Sequence, residues 1–119
     1  MNNIKEITIK EPWFTLIKNK LKIKEGRLNK GMFSDLKVGS KITWMTRARN
    51  NNKRFKKVLT EVIEIKKFNS FKEMLREEGI QNVLPGFPNI KCGAELYHKY
   101  YKPYMEKKFG VVSITIKVI

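Results

Sequence analysis

One cysteine and one histidine in 119 residues exclude several kinds of chemistry at once. Cys92 has no partner for an internal disulfide, which suits a reducing compartment and sets the expectation of a cytoplasmic location. A single His and a single Cys cannot fill the usual structural zinc sets, so neither a metal nor a cofactor is expected. The two also cannot work as a nucleophile–base pair. They stand six positions apart, about 240° around a helix, and point to different sides. His98 is expected at the surface or in packing. No glycine pattern of a phosphate loop or a dinucleotide fold occurs. No apolar run approaches the roughly 18 residues that a membrane-spanning helix needs, and Met1-Asn2-Asn3-Ile4-Lys5-Glu6 lacks the apolar centre of a signal peptide. Acidic residues are scarce too, at 11 against 26 Lys and Arg.

What is present is a hydrophobic fraction of 41% with 11% aromatic residues, enough to build a core rather than a disordered chain. The length suits one domain over 1–119. The net charge of +15 points to a phosphate-rich partner, because Lys and Arg gain free energy by releasing the counterions condensed on a polyanion. An acidic protein partner would also satisfy it.

Period and punctuation give the order of elements. Ile7 and Ile9 alternate in a first strand, Ile4 to Lys10. Pro12 suits the first turn of a helix carrying Trp13, Leu16 and Ile17, which Asn19 can close in a left-handed conformation. Trp13 is read as a core anchor. Asn29 to Val38 reads as a loop. Ile42, Trp44 and Thr46 then share one face of a strand, where Trp44 either lines a cleft or fills the interior. Val58 to Ile65 puts apolar residues on both parities, so this strand is buried on both faces or carries a bulge. Ser70-Phe71-Lys72-Glu73 is a capping box. It opens a helix with Phe71, Met74 and Leu75 inward and Gly79 at its end. Gln81 to Lys91 reads as a loop, and a helix from about Cys92 ends or kinks before Pro103. Tyr97, Tyr101 and Tyr104 lie along its side. Val112, Ile114, Ile116 and Val118 alternate in a last strand. Periodicity alone gives an α+β domain of undetermined topology.

Two stretches break the usual pattern. In Lys22-Ile23-Lys24-Glu25-Gly26-Arg27-Leu28, strand alternation puts Ile23, Glu25 and Arg27 on one face and Lys22, Lys24 and Leu28 on the other. Charges stand where a strand normally buries apolar groups, which marks functional or strained positions. Glu25 and Arg27 either pair or face a pocket together. The second stretch, Arg47 to Lys57, holds six cations and no carboxylate around an Asn run, the composition of a projecting hairpin tip.

The order Ile17…Lys22-Ile23-Lys24-Glu25-Gly26-Arg27 is similar to the I-x-x-G-x-K-T-x-E-x-R signature of the ASCH family. Phe71 to Leu75, Leu84-Pro85-Gly86, Tyr97 to Tyr101 and Gly110 to Ile114 resemble that family's later segments. The resemblance implies a PUA-like fold, a small and mostly antiparallel β-barrel with flanking helices. It also implies nucleic-acid binding, RNA above all, in a basic cleft. Lys22, Lys24, Arg27, Arg47, Arg49, Lys53 and Arg54 would hold phosphates, Trp44 or Tyr101 would stack a base, and Glu25 would orient Arg27 or accept from the ligand. Some relatives resemble acetylcytidine amidohydrolases, whose Lys and Glu would fall on Lys22 and Glu78. Their nucleophilic Thr falls on Ile23, which has no hydroxyl. A ribonuclease-like role would draw on Lys22, Glu25 and Arg27.

Overall fold

The structure, a computed structural model, describes residues 4–47 and 54–119. The strands are β1 Ile4–Thr8, β2 Lys24–Leu28, β3 Lys41–Arg47, β4 Phe55–Phe68 and β5 Val111–Val118. The helices are α1 Trp13–Lys18, α2 Met32–Asp35, α3 Phe71–Glu78, α4 Ile80–Val83, α5 Ile90–His98 and α6 Pro103–Phe109. One sheet of order β1-β3-β4-β5-β2 curls into a half-barrel, antiparallel except for the β1–β3 pair. The mostly antiparallel barrel with flanking helices, expected from the resemblance, is therefore present in open form. β1 and β2 are its two free edges.

The open shape follows from where apolar residues fall. Ile7, Ile42, Trp44, Val62, Val112 and Ile114 fill the concave interior, and α1 closes it with Phe14 and Ile17. Each such burial removes apolar surface worth roughly 1.5–3 kcal/mol per large side chain. A second cluster packs α3, α4 and α5 outside β2 and β5, through Phe71, Met74, Leu75, Leu84 and Tyr97. Trp13 touches both clusters. β4 reaches 14 residues and carries a bulge between Val62 and Glu64, the second of the two readings its mixed parity allowed.

Local signals place the helices. Ser70 Oγ accepts from the Glu73 amide at 3.0 Å, so the capping box forms. Gly79 ends α3 at φ 85°, a conformation that costs glycine no steric penalty. Several segments differ from the sequence expectations. α2 interrupts the loop after β2, α4 occupies the start of the Gln81–Lys91 loop, and α5 begins two residues before Cys92, capped by Asn89. Pro103 starts α6 instead of only ending its predecessor, so Tyr104 lies on a different helix from Tyr97. The left-handed residue after α1 is Lys20 at φ 64°, and Asn19 stays at φ −86°. A side chain in that region costs about 1–2 kcal/mol. Lys20→Gly is therefore expected to raise stability by up to about 1 kcal/mol after glycine's own entropy cost, read as a higher midpoint in thermal melting.

Candidate functional site

The cleft lies where the sheet fails to close. The end of β1 and the segment after it (Thr8, Ile9, Lys10) form one wall and Glu25, Gly26 and Arg27 of β2 form the other. Trp13, Leu96, Tyr97, Tyr100 and Tyr101 enclose it, and its volume is about 280 Å³. A pocket of this size, apolar around a few polar groups, suits a small ligand.

Its floor is a chain of three charges. Lys22 Nζ sits 3.0 Å from Glu25 Oε1, and Glu25 Oε2 accepts from Arg27 Nε at 3.0 Å. Lys22 also donates to the Lys24 and Val83 carbonyls, so all three ammonium protons are used. The Trp13 ring lies 5.5 Å from the same nitrogen. Sequence alternation put Lys22 on the face opposite Glu25. β2 begins only at Lys24, so Lys22 is free of the strand's alternation and turns in beneath it. Arg27 stacks over Phe33 at 4.9 Å. Among the described residues only its Nε is bonded, leaving the two terminal amino groups for a ligand.

Burial and charge act against each other in this chain. Burial alone would raise the Glu25 pKa, but Lys22 and Arg27 hold it below the ordinary 4.5. Burial pulls the Lys22 ammonium down, partly offset by Glu25. Burial would lower Arg27 as well, yet Glu25 and the nearby Tyr101 keep it raised. Tyr97 is pushed well up, by burial first and by Glu25 second. A carboxyl with a depressed folded pKa adds stability above its unfolded pKa and loses it as pH falls through the folded one. The expected result is a fall in denaturation free energy below about pH 4.5, with the Glu25 share of that slope missing in Glu25→Gln. Urea titrations at pH 3 to 7 check it.

The other expected site residues divide. Tyr101 lines the cleft and stacks, with Tyr97, on Phe71 at 5.4 and 4.1 Å. Trp44 does not reach it. It is fully buried, its indole donating to Thr60 Oγ1 at 2.9 Å, because the inward face of β3 meets the barrel interior and not the seam. Lys24 points away from the cleft and pairs with Glu78 at 3.0 Å and Glu64 at 3.6 Å. Glu78 is thereby held outside the cleft, and Ile23 does not line it. Arg47 joins Glu11, Pro12, Thr15 and Lys56 around a shallow groove that shares Glu11 with the cleft. Arg54 is exposed beside the start of β4, and Arg49 and Lys53 lie outside the described residues. His98 is bonded to Glu106 at 2.9 Å, and Glu106 also accepts from the Phe71 amide at 2.7 Å.

Sequence reasoning missed Lys10 and Gly26, and it gave Trp13 only a core role. A Lys–x–x–Trp spacing between a strand end and a helix start was the available signal. Among the described residues no helix is long and apolar enough to cross a membrane, and no group of three His, Cys, Asp or Glu could hold a metal.

An α+β half-barrel with an aromatic-walled seam over a Lys–Glu–Arg floor defines the class of fold and site. The ASCH domain model matches residues 7–119, and the chain belongs to the ASCH domain family. The crystal structure of hypothetical protein PH0355 is similar, with a TM-score of 0.84 and 36% identity over 98% of this chain and 99% of that one. The solution NMR structure of protein PF0455 from Pyrococcus furiosus is also similar. Its TM-score is 0.77, with 34% identity over 98% of this chain and 97% of its own. No curated protein matches the chain.

Proposed function

We propose that this domain binds single-stranded RNA, seating one unstacked base in the seam cleft and its flanking phosphates on nearby cations. The observation that carries this reading is an aromatic-walled cleft whose floor leaves the two amino groups of Arg27 unspent among the described residues. Trp13 and Tyr101 supply π-faces, and base–aromatic stacking contributes roughly 1–3 kcal/mol per base. Lys10 at the rim, with Arg47 and Lys56 in the adjoining groove, gives a phosphate track. Arg54 is exposed beside the start of β4, and Arg49 and Lys53 belong to the same basic segment of the sequence. An unpaired strand is favoured over duplex because the cleft is too small to admit a base pair.

The amidohydrolase-like reading finds less support. Ile23 offers no hydroxyl, Glu78 is committed to Lys24, and Lys22 has no proton donor left for a substrate carbonyl. Release of acetate from acetylcytidine, abolished by Lys22→Ala, would overturn this ranking.

Salt titration of RNA binding is the test. For a single strand the slope of log affinity against log salt is about −0.7 per phosphate contact, so removing four cations reduces its magnitude by up to roughly 3. The Arg47/Arg49/Lys53/Arg54→Ala variant is expected to show that reduction, with affinity lowered uniformly across sequences. An unchanged slope would remove the basic segment from the interface.

A further inference from the structure

Both walls of the cleft are sheet edges, and their main chains have hydrogen-bonding capacity left over. In β2 the Ile116 amide donates to the Ile23 carbonyl and the Asn29 amide to the Gly110 carbonyl. These bonds fix which residues face β5. Glu25 and Arg27 face β5 with their main-chain groups, as do the Ile23 carbonyl and the Asn29 amide, so the N–H and C=O of Gly26 point away, out of the sheet's edge. In β1 the Ile9 amide donates to the Met45 carbonyl, which puts Ile7 and Ile9 on the β3 side and leaves Thr8 outward. Thr8 and Gly26 face the same cleft from its two sides. Among the described residues neither is bonded to another main chain, and the Gly26 amide faces the Tyr97 hydroxyl.

Position 26 is also closely packed by its own neighbours. A Cβ there would stand 2.6 Å from Met74 Cε, 2.7 Å from its Sδ and 3.0 Å from the Tyr97 hydroxyl. That hydroxyl is buried beside the Gly26 amide and has no other hydrogen-bond partner among the described residues, so its own proton is unspent. The cleft, about 280 Å³ and lined by Trp13 and three tyrosines, suits a compact ligand better than an extended strand from a partner chain. A planar heterocycle is such a ligand.

We infer that the Gly26 main chain is the reading element of the cleft, pairing its N–H and C=O with the Watson–Crick edge of one nucleobase. The inference rests on the RNA-binding reading and sharpens it. A base edge sets a donor beside an acceptor, the complement of one residue's N–H and C=O at a free strand edge. Arg27 supplies a further donor from the floor. Such reading requires the edge to be free, so paired RNA is rejected by chemistry as well as by size.

The test uses RNA pentamers with four abasic positions around one central base, in all four versions, followed by fluorescence anisotropy. Each is compared with its counterpart methylated at the pairing nitrogen, N1 of a purine or N3 of a pyrimidine. The base that binds best is expected to lose at least tenfold on methylation, down to the affinity of a fully abasic pentamer. G26A is expected to erase the difference between methylated and unmethylated probes. The wild-type comparison stands even if G26A does not fold. Equal binding of methylated and unmethylated probes overturns the inference and leaves RNA binding intact. No binding of any RNA overturns both.

Discussion

Glu25→Gln is expected to cost roughly 3–5 kcal/mol of folding stability, the cost of removing one partner from a buried ion pair. Lys22 is almost fully buried, and its other two partners are neutral carbonyls. Once the carboxylate is gone, nothing balances the ammonium, and Arg27 loses its only bonded partner among the described residues. The pair itself need not be stabilising. Its mutual attraction is set against the desolvation of two charges, and apolar replacement of both partners is often neutral or better. Chemical denaturation should therefore show a large loss for Glu25→Gln and substantial recovery when Lys22→Met is added. A loss below about 1 kcal/mol in the single variant would mean that water reaches Lys22 and that the floor is not sealed.

The two tryptophans should separate stability from binding. Trp44→Ala is expected to lose roughly 3–5 kcal/mol of stability, from lost transfer free energy and the cavity left behind. It also strands the Thr60 hydroxyl, which is left without its indole donor although it still donates to the Ile42 carbonyl. RNA affinity per folded molecule should not change. Trp13→Ala should also loosen the junction of the two clusters, but its distinguishing loss is in binding, roughly 1–3 kcal/mol if a base stacks there. Thermal melts give the folded fraction, and anisotropy on that fraction gives the affinity. Trp44→Ala that binds weakly while folded, or Trp13→Ala that binds normally, would reverse this assignment.

Much of the fold could be read from the chain because the local signals agreed with one another. The capping box at Ser70, the glycine stop at Gly79 and the alternation of Val112 to Val118 each specify their element through nearby residues alone. The cleft was legible only in part. Glu25 and Arg27 stood out as charges on a strand that ought to have been apolar, and both line the floor. Lys22 was assigned to the wrong face because the strand starts two residues later, which leaves its ammonium to reach the Val83 carbonyl some 61 positions away. Trp44 stands open between cleft and interior in the sequence, and Trp13 takes a core role alone, for a related reason. Both are aromatic residues on amphipathic segments, and only sheet closure decides which segment faces the interior and which the seam. Lys24 and Glu78 show the same limit, since their pairing joins elements 54 residues apart.

The extra residue in β4 has a consequence for where the floor comes to rest. Before it, Val58, Thr60 and Val62 share the parity that faces Trp44 and Ile42. After it, Ile65 stands opposite Ile114. A strand with such a kink has no second alignment of comparable quality. Sliding it by one position along β5 would carry Glu64 or Lys66 into hydrocarbon and turn an apolar neighbour out to water. The kink thus works as a latch, holding β5 at a single height, and through β5 it decides at what height Glu25 and Arg27 stop.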